Sequence, residues 1–437
     1  MMSELRQLDL NDLRTHMLID GFDMILDLER SKGSHFIDKR NGNEFLDMAS
    51  FFASMPFGLN HPYFEESDVK RNLLLAAKNK VANSDFYTEQ MIEFVDTFAR
   101  VAVPKEFKHL FFIEGGALAV ENALKASFDW KVRKNLASGN SAQGSKVIHF
   151  EEAFHGRSGY TMSLTNTADP RKYMYFPKFN WPRIPSPKIV HPLENHLEDV
   201  INKEKKSIAM IEEEISKNSA DIAALIIEPI QAEGGDNHFR PEFFRELRRI
   251  TNENEIILIY DEVQSGMGLT GKMWYSEYLN DAKPDVFSFG KKSQVCGIAA
   301  TDRFDEVENN VFEESSRINS TWGGNIVDMV RSKYYLEIMQ NENILDNVNK
   351  QGEHLIKRLY EIQDEGLISN VRGAGLMTAF DLPDTESRDK LRKEIFKNKM
   401  IILPCGKKSI RFRPALNVQG SEIDHALDIL QSSLSVL

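Results

Sequence analysis

The strongest constraint on the fold is an alternation of short apolar runs with helical patterns between residues 61 and 325. The intervening segments, such as "ALAVENALKASFDWKVRKN", carry apolar residues at helical spacing. The runs are "HLFFIE" (109–114), "KVIHFE" (146–151), "IAALIIEPI" (222–230), "EIILIYDEV" (255–263) and "DVFSFG" (285–290). Because parallel strands need long crossovers and are buried on both faces, this pattern predicts an α/β fold with a mostly parallel, helix-covered sheet.

Two flanking regions have a different pattern. Residues 1–60 contain a hairpin signal, "RNGN", between short strands. After Asn325 a long helical pattern is followed, from about residue 365, by strand-turn-strand patterns and a closing helix. We therefore predict a large domain at 61–325, a smaller α+β domain at 326–437, and an N-terminal segment at 1–60 that joins the small domain.

Charge and cysteine content exclude several classes of function. The net charge of −12 disfavours a general affinity for nucleic acid or anionic lipid. Cys296 and Cys405 are far apart, so neither a disulfide framework nor a metal site is indicated. The first residues lack the apolar core and cleavage site of a signal peptide, and the longest apolar runs are too short to span a membrane. We expect a soluble protein of the cytoplasm.

Polar residues at the ends of the predicted strands are the candidates for chemistry, because ligands of doubly wound sheets gather there. Asp261 follows the run "EIILIY", where a buried carboxylate needs a cation or hydrogen bonds. It can serve a ligand, or it can cap the next turn or pair with an arginine. Gly266, Gly268 and Gly271 have GxGxxG spacing, but no glycine lies directly after the strand and no long helix follows. A nicotinamide dinucleotide site is therefore disfavoured.

Two further strand ends predict an anion site and an aromatic wall. Gly115 and Gly116 precede a helix that opens at about Ala117, which suits a phosphate ester, although an ordinary turn has the same pattern. In "HFEEAFHGRSGYT", Phe154 can stack on a planar ring and Arg157 can hold a carboxylate. A core aromatic beside a structural histidine remains the alternative.

The pair Lys291-Lys292 follows the strand "DVFSFG". Burial disfavours the ammonium form of a lysine, and forming an imine with an aldehyde removes that cost. A lysine, a carboxylate, an aromatic ring and a phosphate cup together describe a site for pyridoxal phosphate.

From about residue 30 to the end, the chain resembles the class III (ω-)aminotransferases, which are pyridoxal phosphate enzymes of fold type I. The motifs that carry the resemblance are "DEVQSGMGLTG", "FHGR", "IIEPIQAEGG", "PDVFSFGK" and "STWGGN". Within this family, "EGGALAVENALKASFDWK", "FGKKSQVCG", "INSTWGGN" and "RFRPAL" resemble the lysine 6-aminotransferases. The chain departs from the broad family pattern at Gly116-Ala117, in "KSQVCG" and at Leu269, and the lysine 6-aminotransferases share these departures.

The resemblance implies a role for each residue of a cofactor site. Lys291 forms the imine with pyridoxal phosphate, Lys292 faces solvent, and Asp261 keeps the pyridine nitrogen protonated. The remaining cofactor contacts are the backbone of Gly116 and Ala117 at the phosphate, Phe154 and His155 beside the ring, Gln264 at the ring hydroxyl, Glu228 near Asp261, and Thr321 at the phosphate of the second subunit. A homodimer with shared active sites follows, although "NSTWGG" also reads as a polar turn.

The resemblance also implies two substrates, L-lysine and 2-oxoglutarate. Arg157 holds the carboxylate at the far end of either substrate, and Arg411 binds the α-carboxylate of 2-oxoglutarate. Glu233 masks Arg411 while lysine reacts, and Asn319 helps to orient the substrate.

The implied reaction moves the ε-amine of L-lysine to 2-oxoglutarate. Its products are L-glutamate and 2-aminoadipate 6-semialdehyde, which cyclises to piperideine-6-carboxylate. An ornithine or 4-aminobutyrate ω-aminotransferase differs only in the length and end charge of the pocket and remains the alternative. A catalytically inert binding protein of the same fold is disfavoured by the intact Lys291 and Asp261.

Overall fold

A seven-stranded sheet forms the centre of the protein, whose computed structural model describes residues 9–437. The strands are β1 (His35–Ile37), β2 (Glu44–Asp47), β3 (Phe107–Ile113), β4 (Lys146–Phe150), β5 (Arg183–Ile184), β6 (Ile222–Ile227), β7 (Ile257–Asp261), β8 (Val286–Phe289), β9 (Cys296–Thr301), β10 (Ser369–Ala374), β11 (Met377–Asp381), β12 (Met400–Ile401), β13 (Leu403–Cys405) and β14 (Ser409–Phe412). The central sheet has the order β3-β9-β8-β7-β6-β4-β5.

The five predicted runs form β3, β4, β6, β7 and β8. Neighbouring strands from β8 to β5 are parallel, whereas β9 runs antiparallel to both β3 and β8. The prediction of a mostly parallel sheet is confirmed. It did not include β5 and β9, since a two-residue strand and the small residues of "CGIAAT" give little apolar signal.

Helices cover the central sheet and lie near both ends of the described range. They are α1 (Leu10–Arg14), α2 (Ser50–Ala53), α3 (Ser67–Lys78), α4 (Glu89–Val101), α5 (Gly116–Ala137), α6 (Gly159–Leu164), α7 (Leu197–Asn218), α8 (Pro241–Glu253), α9 (Ile326–Asn341), α10 (Ile344–Asp364), α11 (Thr385–Lys397) and α12 (Gly420–Leu434). The predicted long helical segment is divided between α9 and α10, because Asn343 takes a left-handed conformation with φ 49°. None of the helices in the described range has the length and apolar composition needed to cross a membrane.

Two smaller sheets involve the ends of the chain. The strands β10, β11, β14 and β13 form an antiparallel sheet. β1 and β2 form the hairpin predicted from "RNGN", with His35 opposite Leu46, and β2 pairs in parallel with β12. The first and last parts of the chain therefore share a sheet, while the domain boundaries at residues 60 and 325 stay predictions.

Candidate active site

A cavity of about 580 Å³ lies at the carboxyl ends of the central parallel strands. Its lining includes eleven residues that the sequence singled out: Gly116, Ala117, Phe154, His155, Arg157, Glu228, Glu233, Asp261, Gln264, Lys291 and Arg411. Each lies at or after the end of a strand of the central sheet, or on β14, so residues far apart in the chain meet in one cavity.

Lys291 lies in the turn directly after β8. Its backbone is left-handed, with φ 55°, and its Nζ donates a hydrogen bond of 3.1 Å to the carbonyl of Phe52. Burial, with the nearby Arg411 charge, lowers the pKa of Lys291 to about 8. A substantial fraction of the side chain is therefore a neutral amine near physiological pH, which is the form that attacks an aldehyde.

Asp261 ends β7 and is buried beneath the cavity. Its carboxylate accepts hydrogen bonds from His155 Nδ1 (2.7 Å), Ser288 Oγ (3.0 Å) and the backbone N–H of Val263 (3.2 Å). Asp261 thus caps the following turn, which was one of the alternative roles predicted for it, and it also binds the buried side chain of His155. His155 Nε2 is buried without a hydrogen-bond partner. The hydrogen bond from His155 therefore fixes the orientation of the Asp261 carboxylate, and Asp261 remains part of the cavity lining.

Glu228 follows β6 and anchors the aromatic wall. Its two carboxyl oxygens accept backbone N–H bonds from Phe154 (2.9 Å) and Ala232 (3.1 Å). Burial, reinforced by the Asp261 charge, raises the pKa of Glu228 well above its usual value. Through the bond to Phe154 N–H, Glu228 fixes the loop that carries the ring into the cavity.

The start of α5 forms a narrow cradle with the loop after β4. Gly115 has φ +107°, and α5 begins at Gly116. Gly156 has φ +124°, and a Cβ atom there would lie 2.5 Å from the Cβ of Ala117. Only glycine allows the loop to come this close to the helix, whose first N–H groups face an anion most favourably. The cradle, the buried Asp261 and the amine of Lys291 fit the phosphate, pyridine nitrogen and aldehyde of pyridoxal phosphate.

Lys292 does not face solvent, so that prediction is wrong. Its side chain is 2% exposed, and Nζ donates to the carbonyl of Ala53 (3.2 Å) and lies 3.4 Å from Ser50 Oγ. Burial, together with the charges of Arg413 and Lys291, lowers its pKa well below the usual value. Both lysines donate to carbonyls of the segment 50–53, Lys291 to Phe52 and Lys292 to Ala53, but only Lys291 lines the cavity.

The partner of Lys292 is an unusual turn, α2. All four of its residues have positive φ, from 38° at Ser50 to 66° at Ala53, although none is glycine. Asp47 accepts the backbone N–H groups of Ala49 (2.9 Å) and Ser50 (3.0 Å), and Lys292 binds the other end. A left-handed backbone is unfavourable for residues that carry a Cβ atom, so tertiary contacts must stabilise α2 in this conformation. The turn brings Phe52 to the cavity wall.

Arg411 and Glu233 form an ion pair of 2.7 Å inside the cavity. Arg411 is 2% exposed, and its Nε has no hydrogen-bond partner among the described residues. Despite burial, the Arg411 and Lys172 charges lower the pKa of Glu233, so the carboxylate is ionised. Arg157 is an exposed residue of the same lining, so the cavity offers two guanidinium groups for carboxylates.

Asn319 and Thr321 are not brought into this cavity. Both lie on an exposed segment, where the carbonyl of Thr321 accepts a bond of 3.1 Å from Ser84 Oγ. Their assigned contacts with substrate and with a second subunit's phosphate stay predictions.

Phe52 and Lys172 are among the lining residues that the sequence interpretation missed. Phe52 lies in "SFFASM", which contains no glycine to indicate a left-handed turn. Lys172 lies in "ADPRKYMYF", a loop without any recognisable spacing. Both reach the cavity through tertiary packing, which a local pattern does not encode.

Comparison with known proteins agrees with this geometry. Residues 20–434 match the family described as "Aminotransferase class-III". The L-lysine-epsilon aminotransferase of Amycolatopsis lactamdurans is 46% identical over 427 residues, covering 97% of this chain and 94% of that protein. The protein of the same name from Mycobacterium tuberculosis H37Rv is 47% identical over 425 residues, covering 96% of this chain and 94% of its own.

A solved structure agrees as well. The lysine aminotransferase from M. tuberculosis in the internal aldimine form superposes with a TM-score of 0.96 at 46% sequence identity, covering 98% of both chains. The family match and the full-length relatives lead to one conclusion: this chain belongs to the class-III aminotransferase family.

Proposed function

We propose that this protein is a pyridoxal phosphate-dependent L-lysine 6-aminotransferase. It transfers the ε-amine of L-lysine to 2-oxoglutarate and forms 2-aminoadipate 6-semialdehyde and L-glutamate. The observation that carries the proposal is the pairing of Arg411 with Glu233 beside Lys291 and Asp261 in one cavity. The full-length similarity to lysine aminotransferases supports the choice of amine.

The cofactor site consists of residues with distinct tasks. When bound, pyridoxal phosphate supplies an electron-withdrawing ring that stabilises negative charge at the carbon from which a proton departs. Gly116 and Ala117 would hold its phosphate, and Phe154 would pack against its ring. Asp261, fixed by His155, would hold a proton on the pyridine nitrogen, while Gln264 would contact the ring hydroxyl.

Lys291 moves the proton. With a pKa of about 8, its amine can take a proton from the ε-carbon of lysine and give it back elsewhere near neutral pH. Its bond to the Phe52 carbonyl keeps Nζ at the cavity wall when the amine is free. The Lys291 amine transfers the proton in the opposite direction when 2-oxoglutarate reacts.

Two substrates of different shape must use one cavity. L-lysine presents its ε-amine and keeps its α-carboxylate at the far end, where Arg157 is available. 2-Oxoglutarate presents its α-keto group and therefore brings a carboxylate next to the reacting carbon, where Arg411 is available. Glu233 covers Arg411 during the lysine half-reaction and must release it for 2-oxoglutarate.

The assembly we propose is a homodimer in the cytoplasm, with Thr321 completing the partner's phosphate site. Large apolar side chains exposed in the single chain support an interface: Phe86 is 69% exposed, Tyr87 75% and Trp322 41%. Such exposure is typical of surfaces that bind another chain.

The test is the visible absorption of the cofactor-loaded protein with one substrate at a time. L-lysine alone should bleach the band, and 2-oxoglutarate alone should then restore it. Ornithine and 4-aminobutyrate should react more slowly, since each methylene of mismatch changes the activation free energy by about 1 to 3 kcal/mol. If the band bleaches best with another amine, that amine would be assigned as the substrate. A protein that binds no cofactor would refute the proposal.

A further inference from the structure

Glu233 has two cationic partners rather than one. Its Oε2 accepts the Arg411 guanidinium at 2.7 Å, and its Oε1 accepts the ammonium of Lys172. The side chains of Glu233 and Lys172 are only 24% and 21% exposed. Both cations lower the pKa of this carboxyl group. The Glu233 carboxylate is therefore shared between the buried Arg411 and Lys172, which lies nearer the surface.

Lys172 lies on the outer side of this trio. It ends a short turn, Pro170–Lys172, and its Nζ is 5.7 Å from the centroid of the Phe154 ring. Lys172 and Glu233 line both the active-site cavity and a second cleft of about 540 Å³. Arg411 does not line that cleft, so the cleft gives the Glu233 side chain space outside its contact with Arg411.

Charge pairing gives this arrangement a function. A largely buried carboxylate that leaves its only cation is strongly disfavoured, because the charge remains desolvated and unpaired. A carboxylate that already has a second cation can leave the first one and stay paired. Arg411 would then present its guanidinium, including the Nε that has no partner among the described residues, to an incoming carboxylate.

We propose that Lys172 is a positioning residue that holds Glu233 in its open state and so admits the 2-oxo dicarboxylic acid to Arg411. This inference rests on the proposed function, in which Glu233 masks Arg411 during the lysine half-reaction. Lys172 acts through Glu233 and does not itself bind substrate. It therefore determines how easily the enzyme passes from its amine substrate to its keto acid substrate.

The experiment measures each half-reaction separately by rapid mixing and cofactor absorption. Lys172→Met should lower kcat/KM for 2-oxoglutarate about tenfold, mainly through a higher KM, while kcat/KM for L-lysine changes by less than about twofold. Lys172→Arg, which keeps the charge, should recover most of the loss. Lys172→Gln serves as a second neutral variant, so the test does not depend on how one substitution folds.

A double-mutant cycle separates action through Glu233 from direct attraction of the keto acid. In a Glu233→Gln background, Lys172→Met should have no further effect on 2-oxoglutarate. A tenfold loss in that background would show direct binding and overturn the inference. Equal losses in both half-reactions would show a merely structural role and also overturn it.

Lys333→Met is the matched control, because Lys333 forms an ion pair of 2.6 Å with Glu93 outside the cavity lining and its side chain is 18% exposed. It should leave both half-reactions unchanged. The unmodified enzyme tests the proposed function independently. If L-lysine failed to bleach its absorption, the function itself would be refuted before any variant was compared.

Discussion

Lys291 and Lys292 are adjacent in the chain but have different environments. Lys291 lines the cavity with a pKa lowered to about 8, whereas Lys292 is 2% exposed and binds the α2 turn. A buried lysine persists where its amine satisfies carbonyl groups that would otherwise lack a partner. The second lysine is therefore structural, and it holds the turn that carries Phe52.

The two lysines should give opposite results on substitution. Lys291→Ala should prevent covalent attachment of the cofactor, measured as a mass increase after borohydride reduction, with little change in the melting temperature. Lys292→Met should retain the mass increase but lower the free energy of unfolding by about 1 to 3 kcal/mol, because the Ala53 carbonyl is left buried without a donor. A retained mass increase in Lys291→Ala would mean that another lysine forms the bond.

The pKa of Lys291 predicts how cofactor loading depends on pH. Only the neutral amine reacts, so the loading rate of the apoprotein should rise about tenfold from about pH 7 to about pH 9 and level off above the pKa of about 8. A lysine with the ordinary pKa of 10.5 would show a continued rise instead. Because folding lowers this pKa, the apoprotein should also gain stability between about pH 8 and about pH 10.5. Stopped-flow absorption and denaturant titration measure the two effects.

At the scale of elements, the site depends on two close approaches of backbone. The start of α5 meets the loop after β4 at Gly156, and α2 meets the turn after β8 through both lysines. Neither approach follows from the propensity of a single segment. Each is held by hydrogen bonds and packing from an element distant in the chain.

Gly156→Ala tests the first approach. The new Cβ would lie 2.5 Å from the Cβ of Ala117, so the loop must move away from α5. We expect cofactor binding to weaken at least about tenfold, measured by absorption titration, with loss of stability.

Gly139→Ala is the matched control, because Gly139 also has positive φ (+77°) but has no atom within 4 Å of the added Cβ. It should destabilise the fold by about 1 kcal/mol and leave cofactor affinity unchanged. Equal cofactor affinities of Gly156→Ala and Gly139→Ala would contradict the role of the cradle in binding the cofactor.

At the scale of the whole molecule, Thr321 lies outside the cavity of its own chain. A shared site explains this position if the exposed segment meets the cofactor of a second copy. The exposed rings of Tyr87 and Trp322 are then part of the interface.

Complementation tests the shared site. Lys291→Ala and Thr321→Asp, which places a negative charge near the phosphate, should each be inactive alone. Co-expression should restore about one quarter of the normal activity, since half of randomly paired dimers carry one intact site of two. No recovery in a confirmed heterodimer would place Thr321 in its own chain's site.

The fold class and most of the cavity lining could be predicted from the amino-acid sequence. Continuous apolar runs specified parallel strands, and the polar residues after them, such as Asp261 and Lys291, had to meet at one sheet edge. Strand ends are local features, so these positions could be read from the chain alone. The family resemblance then assigned tasks that spacing does not show, including those of Glu233 and Arg411.

The positions of Lys292, Phe52 and Lys172 depend on tertiary packing and could not be predicted from the sequence. Lys292 is buried against α2, a segment more than 200 residues away in the chain, where its Nζ donates to the Ala53 carbonyl. Phe52 reaches the cavity through a strained turn without glycine, and Lys172 through an ion pair with Glu233. These contacts join elements distant in sequence, and their stability comes from burial and charge pairing, which no local pattern records.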